Sequence, residues 1–150
     1  MKLRYQGTED EIKALGAYVK LMRATECVTA RVHRHLGKEK LTVSQFGVLE
    51  ALYHVGPLCQ RDLALKLLTS GGNMTMVIAN LEKRKLVRRR RQRGDRRYYV
   101  VELTGQGQDL IKRLFPRHAA GIADEFNVLD SDEIRDLQAI CRKLGLRHAC

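Results

Sequence analysis

The stretch "LCQRDLALKLLTSGGNMTMVIANLEKRKLVRRRRQRGDRRYYVVEL", Leu58 to Leu103, decides the fold. Gln60 to Leu67 has the apolar spacing of a short helix, and Ser70 to Arg84 has that of a second. Leu86 to Leu103 reads as two strands around a turn at Gly94 and Asp95. Two helices followed by a hairpin make a helix-turn-helix with a wing.

The second helix can be read face by face. At 3.6 residues per turn, Met74, Val77, Ile78 and Leu81 share an apolar stripe that belongs in the core. The opposite side carries Gly72, Met76, Ala79 and Lys83, flanked by Asn73, Thr75 and Asn80, with Ser70 at the helix start. That surface is small and polar with few carboxylates, which suits a major groove. Asn can bond an adenine edge in bidentate fashion and Thr can bond bases or phosphates, while Gly71 and Gly72 let the helix N-terminus approach a phosphate. Ser70, Gly72, Asn73, Thr75, Met76, Asn80 and Lys83 are therefore the candidate reading residues. The alternative is a frayed start with no role, since each glycine costs roughly 1 kcal/mol in helix propensity.

The hairpin that follows holds Arg88, Arg89, Arg90, Arg91, Arg93, Arg96 and Arg97, with Asp95 the only acid between Arg88 and Arg97. An ordinary solvated strand mixes signs. A run of this kind beside a groove-sized helix points to phosphate contact, with Arg89, Arg91, Arg93, Asp95, Arg96 and Arg97 as the candidate wing residues.

These residues resemble the MarR-type winged-helix transcriptional regulators. The resemblance is carried by "LTVSQFGVLEAL" (Leu41 to Leu52), "PLCQRDLA" (Pro57 to Ala64), "MTMVIANLEKRKLV" (Met74 to Val87) and "GDRRYYVVELTGQG" (Gly94 to Gly107). It implies a mainly α fold with a small β-hairpin wing, and N- and C-terminal helices that dimerise. It also implies that Asp95 braces an Arg97 inserted into the minor groove. Within the family, "GGNMT" looks most like the repressors of catechol and quinone resistance genes. Two positions depart from the family pattern. Lys85 stands where a glycine usually ends the reading helix, so it must take a left-handed conformation or the helix must close differently. Cys59 stands where Thr or Ser usually caps the preceding helix, and a thiol is the weaker hydrogen-bonding group.

Composition supports a nucleic-acid partner. The 150 residues suffice for one domain, 1–150, and 44% of them are apolar, enough for a sizeable core. Twenty-eight basic against 17 acidic residues leave a net charge of +11, which calls for a polyanion. No apolar run reaches the roughly 18 residues of a spanning helix and no signal peptide is evident, so a cytoplasmic location is expected. The four cysteines, 27, 59, 141 and 150, have neither disulfide-scaffold nor zinc spacing. His33 and His35, two apart on a helix, should point to nearly opposite sides and hold no metal between them. No cofactor is called for.

Outside the winged segment, about 41–103, the chain reads as helices. Thr8 caps a long helix from Glu9 to about Leu36, with Gly37 as its stop and Leu15, Val19, Met22, Val28, Val32 and Leu36 as its stripe. Thr42 caps Val43 to His54, which turns Phe46, Leu49, Leu52 and Tyr53 inward. Thr104 caps a helix through Leu110, Ile111, Leu114 and Phe115 to about Phe126, kinked at Pro116 unless it restarts there. Asp130 and Glu133 form a capping-box start for a last helix that ends at Gly145, with Ile134, Leu137, Ile140, Cys141 and Leu144 as its stripe. The helices at about 9–36 and 104–147 are expected to pair with those of a second copy.

Enzyme motifs are missing: there is no Gly-x-Ser-x-Gly elbow, phosphate loop, His-Glu-x-x-His or dinucleotide fingerprint. A cysteine-dependent enzyme is the weakest alternative. A basic structural or RNA-binding protein would use the same charge, but no Trp, five Tyr and three Phe offer few stacking platforms. The expected function is a homodimeric, sequence-specific DNA-binding repressor on a palindromic site, released by a small aromatic or phenolic ligand, as the family implies, or by a thiol-reactive compound. Cys59, at a helix start two residues from Arg61, is the candidate redox sensor; the competing reading is a buried cysteine that fills space. Cys27 and Cys141 read as helix packing, and Cys150 as an exposed, incidentally reactive tail residue.

Overall fold

The computed structural model of the chain describes residues 5–92 and 95–145, with the backbone alone for 92 and 95–98. It is mostly helical with one small antiparallel sheet, and the core sits where the helix-turn-helix, the sheet and the central helices meet. The elements run α1 (Glu9–Val32), a 3-10 helix (His33–Glu39), α2 (Val43–Val55), β1 (Leu58–Cys59), α3 (Gln60–Lys66), α4 (Gly71–Lys83), β2 (Val87–Gln92), β3 (Asp95–Leu103), α5 (Gly105–Phe126) and α6 (Ser131–Gly145).

α1 opens with a full capping box: the Thr8 hydroxyl accepts the Glu11 N–H at 3.3 Å and the Glu11 carboxylate accepts the Thr8 N–H at 2.8 Å. It ends at Val32, earlier than the expected Leu36. The reason lies in two side chains. His33 and His35 each donate from Nδ1 to a backbone carbonyl, of Thr29 and Val32 respectively, both at 2.9 Å. The Val32 carbonyl is the one that an α-helical Leu36 N–H would use, so the chain tightens into a 3-10 helix instead. At three residues per turn, His33 and His35 lie about 120° apart rather than opposite. The expectation that they diverge is therefore wrong. Both rings converge on His118 of α5, at centroid distances of 5.2 and 5.4 Å, around the Phe46 ring of α2. His118 is buried, and that burial, aided by the two neighbouring imidazoles, pushes its pKa down to about 4.

α2 is capped by Thr42 and Gln45 in a second capping box and stops at Gly56, whose φ of 91° few other residues adopt. Phe46, Leu49 and Leu52 are buried as expected, and Val48 and Ala51 join them, because α2 runs through the middle of the winged unit. The sheet order is β1-β3-β2, with Leu58 opposite Val101 and Val87 opposite Leu103. β1 is an addition to the two expected strands; two residues are too few to show a period in sequence.

α5 is locked to the unit at its first turn. The Thr104 hydroxyl lies 2.6 Å from the Lys85 carbonyl oxygen and accepts the Gly107 N–H at 3.1 Å, and the Thr104 N–H donates to the Leu86 carbonyl at 3.1 Å. Gly107 is required there: a Cβ would lie 1.9 Å from the Leu86 carbonyl oxygen. The helix then continues through Pro116, which has no N–H to give the Lys112 carbonyl. α6 begins at the expected box, where the Asp130 and Glu133 carboxylates take the Glu133 and Asp130 N–H groups at 2.9 Å each.

The two ends of the chain bury little. Val32 is the single buried residue of α1, and α6 has none. Leu15, Val19 and Met22 of the predicted α1 stripe are exposed, as are Ile140 and Leu144 of α6. Cys27 and Cys141, expected to pack between helices, are exposed too, because none of the described residues covers them.

Candidate nucleic-acid interface

The helix-turn-helix is held at its corners by backbone chemistry. α3 gives way to α4 through Leu68, at φ 49°, where the Thr69 N–H reaches back to the Ala64 carbonyl at 3.0 Å. α4 ends in the same manner. Lys85 takes the left-handed conformation, at φ 57°, its N–H donates to Glu82 at 2.8 Å, and the Leu86 N–H donates to Leu81 at 3.0 Å. This is a complete Schellman stop, with Leu81 and Leu86 both buried as its hydrophobic contact. The missing glycine thus leaves the geometry intact and adds a steric cost of roughly 1–2 kcal/mol. Arg84, the capping residue, ties the end of α4 to the 3-10 segment by donating to the carbonyls of Glu39 and Lys40 at 2.9 and 2.8 Å. Arg113 of α5 pairs with the Glu39 carboxylate at 2.8 Å, and its hydrogen bond holds that carboxyl below the usual range.

All four stripe residues of α4, Met74, Val77, Ile78 and Leu81, are buried, so the opposite face is turned outward. Gly72, Asn73, Thr75 and Lys83 are exposed, Asn80 is half-buried, and Met76 is 66% exposed. Ser70 caps the helix by accepting the Asn73 N–H at 3.2 Å. The Asn73 amide donates to the Thr69 hydroxyl at 2.8 Å. The Thr75 hydroxyl donates to the Gly71 carbonyl at 3.0 Å and accepts from Gln60 Nε2 at 2.6 Å. Gln60, at the start of α3, is a contributor that the sequence reading missed, because 15 residues separate it from Thr75.

The wing is joined to α4 by Glu82. One carboxylate oxygen accepts the Arg89 backbone N–H at 3.2 Å and the other pairs with the Arg89 guanidinium at 2.9 Å. Arg91 shares that face of the hairpin and lies over Tyr99, its guanidinium carbon 5.8 Å from the ring centroid. On the other face, Arg88 and Arg90 share Glu102, at 2.7 and 2.9 Å, and the hydrogen bonds from Arg90 and then Arg88 hold that carboxyl below the usual range. The run looked nearly free of acids because Glu82 and Glu102 lie outside it. Four of its arginines thus have protein partners at the base of the wing. Arg93 and the turn residue Gly94 lie outside the described residues, as does Cys150, and so do the side chains of Asp95, Arg96 and Arg97.

Cys59 sits where β1 meets α3. It caps α3, with Sγ accepting the Asp62 N–H at 3.4 Å, and it is half-buried opposite Val100 of the wing. Behind the wing, a cavity of about 360 Å³ opens between the end of α2, the base of the hairpin and the start of α5. Leu52, Tyr53, Pro57, Arg88, Leu103 and Gln108 line it. No helix among the described residues is long and apolar enough to cross a membrane.

Comparison with known proteins places this architecture. Residues 40–97 match the model of the MarR family. The chain is 31% identical over 134 residues to the HTH-type transcriptional regulator MhqR of Bacillus subtilis, covering 89% of this chain and 92% of that protein. Among solved structures, BpsR of Bordetella bronchiseptica, whose DNA binding is regulated by 6-hydroxynicotinic acid, superposes with a TM-score of 0.77. It is 28% identical, and the match covers 87% of this chain and 98% of that one. Sco3205 of Streptomyces coelicolor, a MarR family regulator solved in complex with DNA, superposes at 0.81 with 21% identity, over 96% and 90% of the two chains, and shares the fold.

Proposed function

The chain belongs to the MarR family of DNA-binding transcriptional regulators, and from that premise we propose that it is a homodimeric repressor of a palindromic operator, released by a small aromatic or phenolic ligand. The observation that carries the dimer is the bareness of the terminal helices. α1 and α6 leave Leu15, Val19, Met22, Ile140 and Leu144 exposed, side chains of the stripe that an amphipathic helix turns toward a partner. A second copy covers such faces with the same faces of its own, and two-fold symmetry then places two α4 helices on two half-sites.

Reading falls to the outward face of α4, from Ser70 to Lys83, and anchoring to Arg89, Arg91 and the tip residues Arg93, Asp95, Arg96 and Arg97. The Glu82–Arg89 clasp supports that division, because it sets the offset between the helix and the wing. Release by a ligand is supported by the BpsR relative, and the cleft behind the wing, where Tyr53 and Leu103 lie beside the Arg88–Glu102 pair, is where we place it. A ligand there touches α2, the hairpin and α5 together, so it can change the spacing of the two reading helices. Attack at Cys59 is the second reading, favoured by its half-buried position between α3 and the wing. The protein then acts in the cytoplasm, where its DNA is.

Sedimentation at micromolar concentration and footprinting on selected DNA test the proposal together. A dimer should protect an inverted repeat whose half-sites lie about 10 base pairs apart, centre to centre. A monomer with an asymmetric footprint refutes it.

A further inference from the structure

At the front of α4 the Thr75 hydroxyl is already engaged on both sides, by Gln60 and by the Gly71 carbonyl. Gln60 Nε2 lies 2.6 Å from Thr75 Oγ1 and 3.3 Å from the Gly71 carbonyl oxygen. The Gly71 carbonyl can only accept, which fixes the orientation of the Gln60 amide: both its protons face α4, and Oε1 is turned away from that pair. The Thr75 hydroxyl gives its proton to the same carbonyl and receives one from Gln60. Among the described residues, Gln60 Oε1 accepts no hydrogen bond from a side chain or from the backbone. Gln60 is half-buried and Thr75 exposed. What this pair leaves uncommitted is the Gln60 amide oxygen and the Thr75 methyl, with the exposed Met76 side chain one residue on.

We propose that Gln60, from the first helix of the helix-turn-helix, is a specificity-determining residue, and that Thr75 reads DNA through its methyl and not its hydroxyl. In the major groove, adenine N6 and cytosine N4 are donors, whereas guanine offers two acceptors and thymine an acceptor and a methyl. An acceptor locked in place selects a base with an exocyclic amine and repels guanine. A methyl beside it selects thymine. The half-site therefore has a position that takes A or C, set by Gln60, and a neighbouring thymine, set by Thr75. The inference rests on the sequence-specific reading proposed above, and it moves the main polar contact from α4 to α3.

Selection of bound sequences from a randomised duplex library tests it with four proteins: the parent, Gln60→Ala, Thr75→Val and Thr75→Ser. Circular dichroism melts confirm that each is folded. In the parent, A or C should exceed G by roughly 5- to 150-fold at one symmetric pair of positions. Gln60→Ala should level that position and leave the thymine in place. Thr75→Val, which removes the clamping hydroxyl and keeps a methyl, should weaken the amine preference and retain the thymine. Thr75→Ser should do the reverse. If Gln60→Ala weakens all sequences equally, or Thr75→Val loses the thymine, the inference is overturned. A parent that enriches no sequence instead overturns the sequence-specific reading itself.

Discussion

Replacing Gly107 by alanine tests how tightly α5 is bolted to the winged unit. The added methyl would lie 1.9 Å from the Leu86 carbonyl oxygen and 2.9 Å from its carbon, both of them backbone atoms. A carbon and a carbonyl oxygen settle at about 3.3 Å, so α5 or the Leu86 peptide must retreat by roughly 1.4 Å. Such overpacking costs about 1–3 kcal/mol. The retreat also strains the Thr104 bonds to the Lys85 and Leu86 carbonyls, each worth about 1 kcal/mol net. Against this stands a gain of up to about 1 kcal/mol for alanine over glycine in a helix. The balance is a loss of about 3 kcal/mol, or roughly 6–12 °C in Tm for a chain of this size. Gly121→Ala, in the same helix with nothing within 4 Å of the new methyl, is the control and should hold or raise Tm. Thermal melts at fixed protein concentration decide. A Gly107→Ala protein as stable as the control would show that α5 is not held at Leu86.

Four further outcomes are expected. Lys85→Gly removes the strain of the left-handed lysine and should raise stability by about 1 kcal/mol, read from denaturant midpoints; a lower midpoint would mean that the side chain matters more than the conformation. Glu82→Gln frees the Arg89 guanidinium, so binding to scrambled DNA should tighten, with a salt slope steeper by about one ion, while discrimination between matched and scrambled sites falls. His118 is held neutral in the fold, with a pKa of about 4 against an unfolded value near 6.5, so its contribution is whole above pH 6.5 and is lost as pH falls toward 4. At pH 5 the deficit is about 2 kcal/mol, and the Tm difference between pH 7 and pH 5 should shrink in His118→Phe; an unchanged difference assigns the acid sensitivity elsewhere. Cys59→Ser keeps the cap on α3 with a stronger acceptor and should be at least as stable as the parent, yet lose DNA release by quinone or peroxide, which Cys150→Ser retains; release equal to the parent's removes Cys59 as a sensor.

What the sequence showed and what it hid divide along physical lines. The α4 stripe was legible because 13 residues give the 3.6 period several repeats. Caps at Thr8, Thr42, Thr104 and Asp130 were legible because their chemistry is local. The partners of the wing arginines were not, since Glu82 belongs to α4 and Glu102 to the opposite strand. Gln60 was passed over as an ordinary first residue of a helix, because its bond to Thr75 exists only once α3 and α4 are packed. The histidines were misplaced by an assumed α-helical angle that their own side-chain hydrogen bonds abolish.

Lys40, Leu68 and Lys85 share one conformation, with φ near 50°, and they stand at the entry to α2, between α3 and α4, and at the exit of α4. Together they hold several kcal/mol of conformational strain, all of it at the corners of the helix-turn-helix. Opening any one corner releases part of that strain, so small excursions of α3 and α4 need less free energy than unfolding of the body behind them. Hydrogen exchange should accordingly rank the amides of Thr69 and Leu86 as opening well before those of Leu49 or Ile111. A unit that is lightly poised in this way can be displaced by a ligand whose binding distinguishes its two positions by only about 1–3 kcal/mol. Glycine at all three corners would remove that strain, and the Thr69 and Leu86 amides should then open closer to the rank of Leu49 and Ile111.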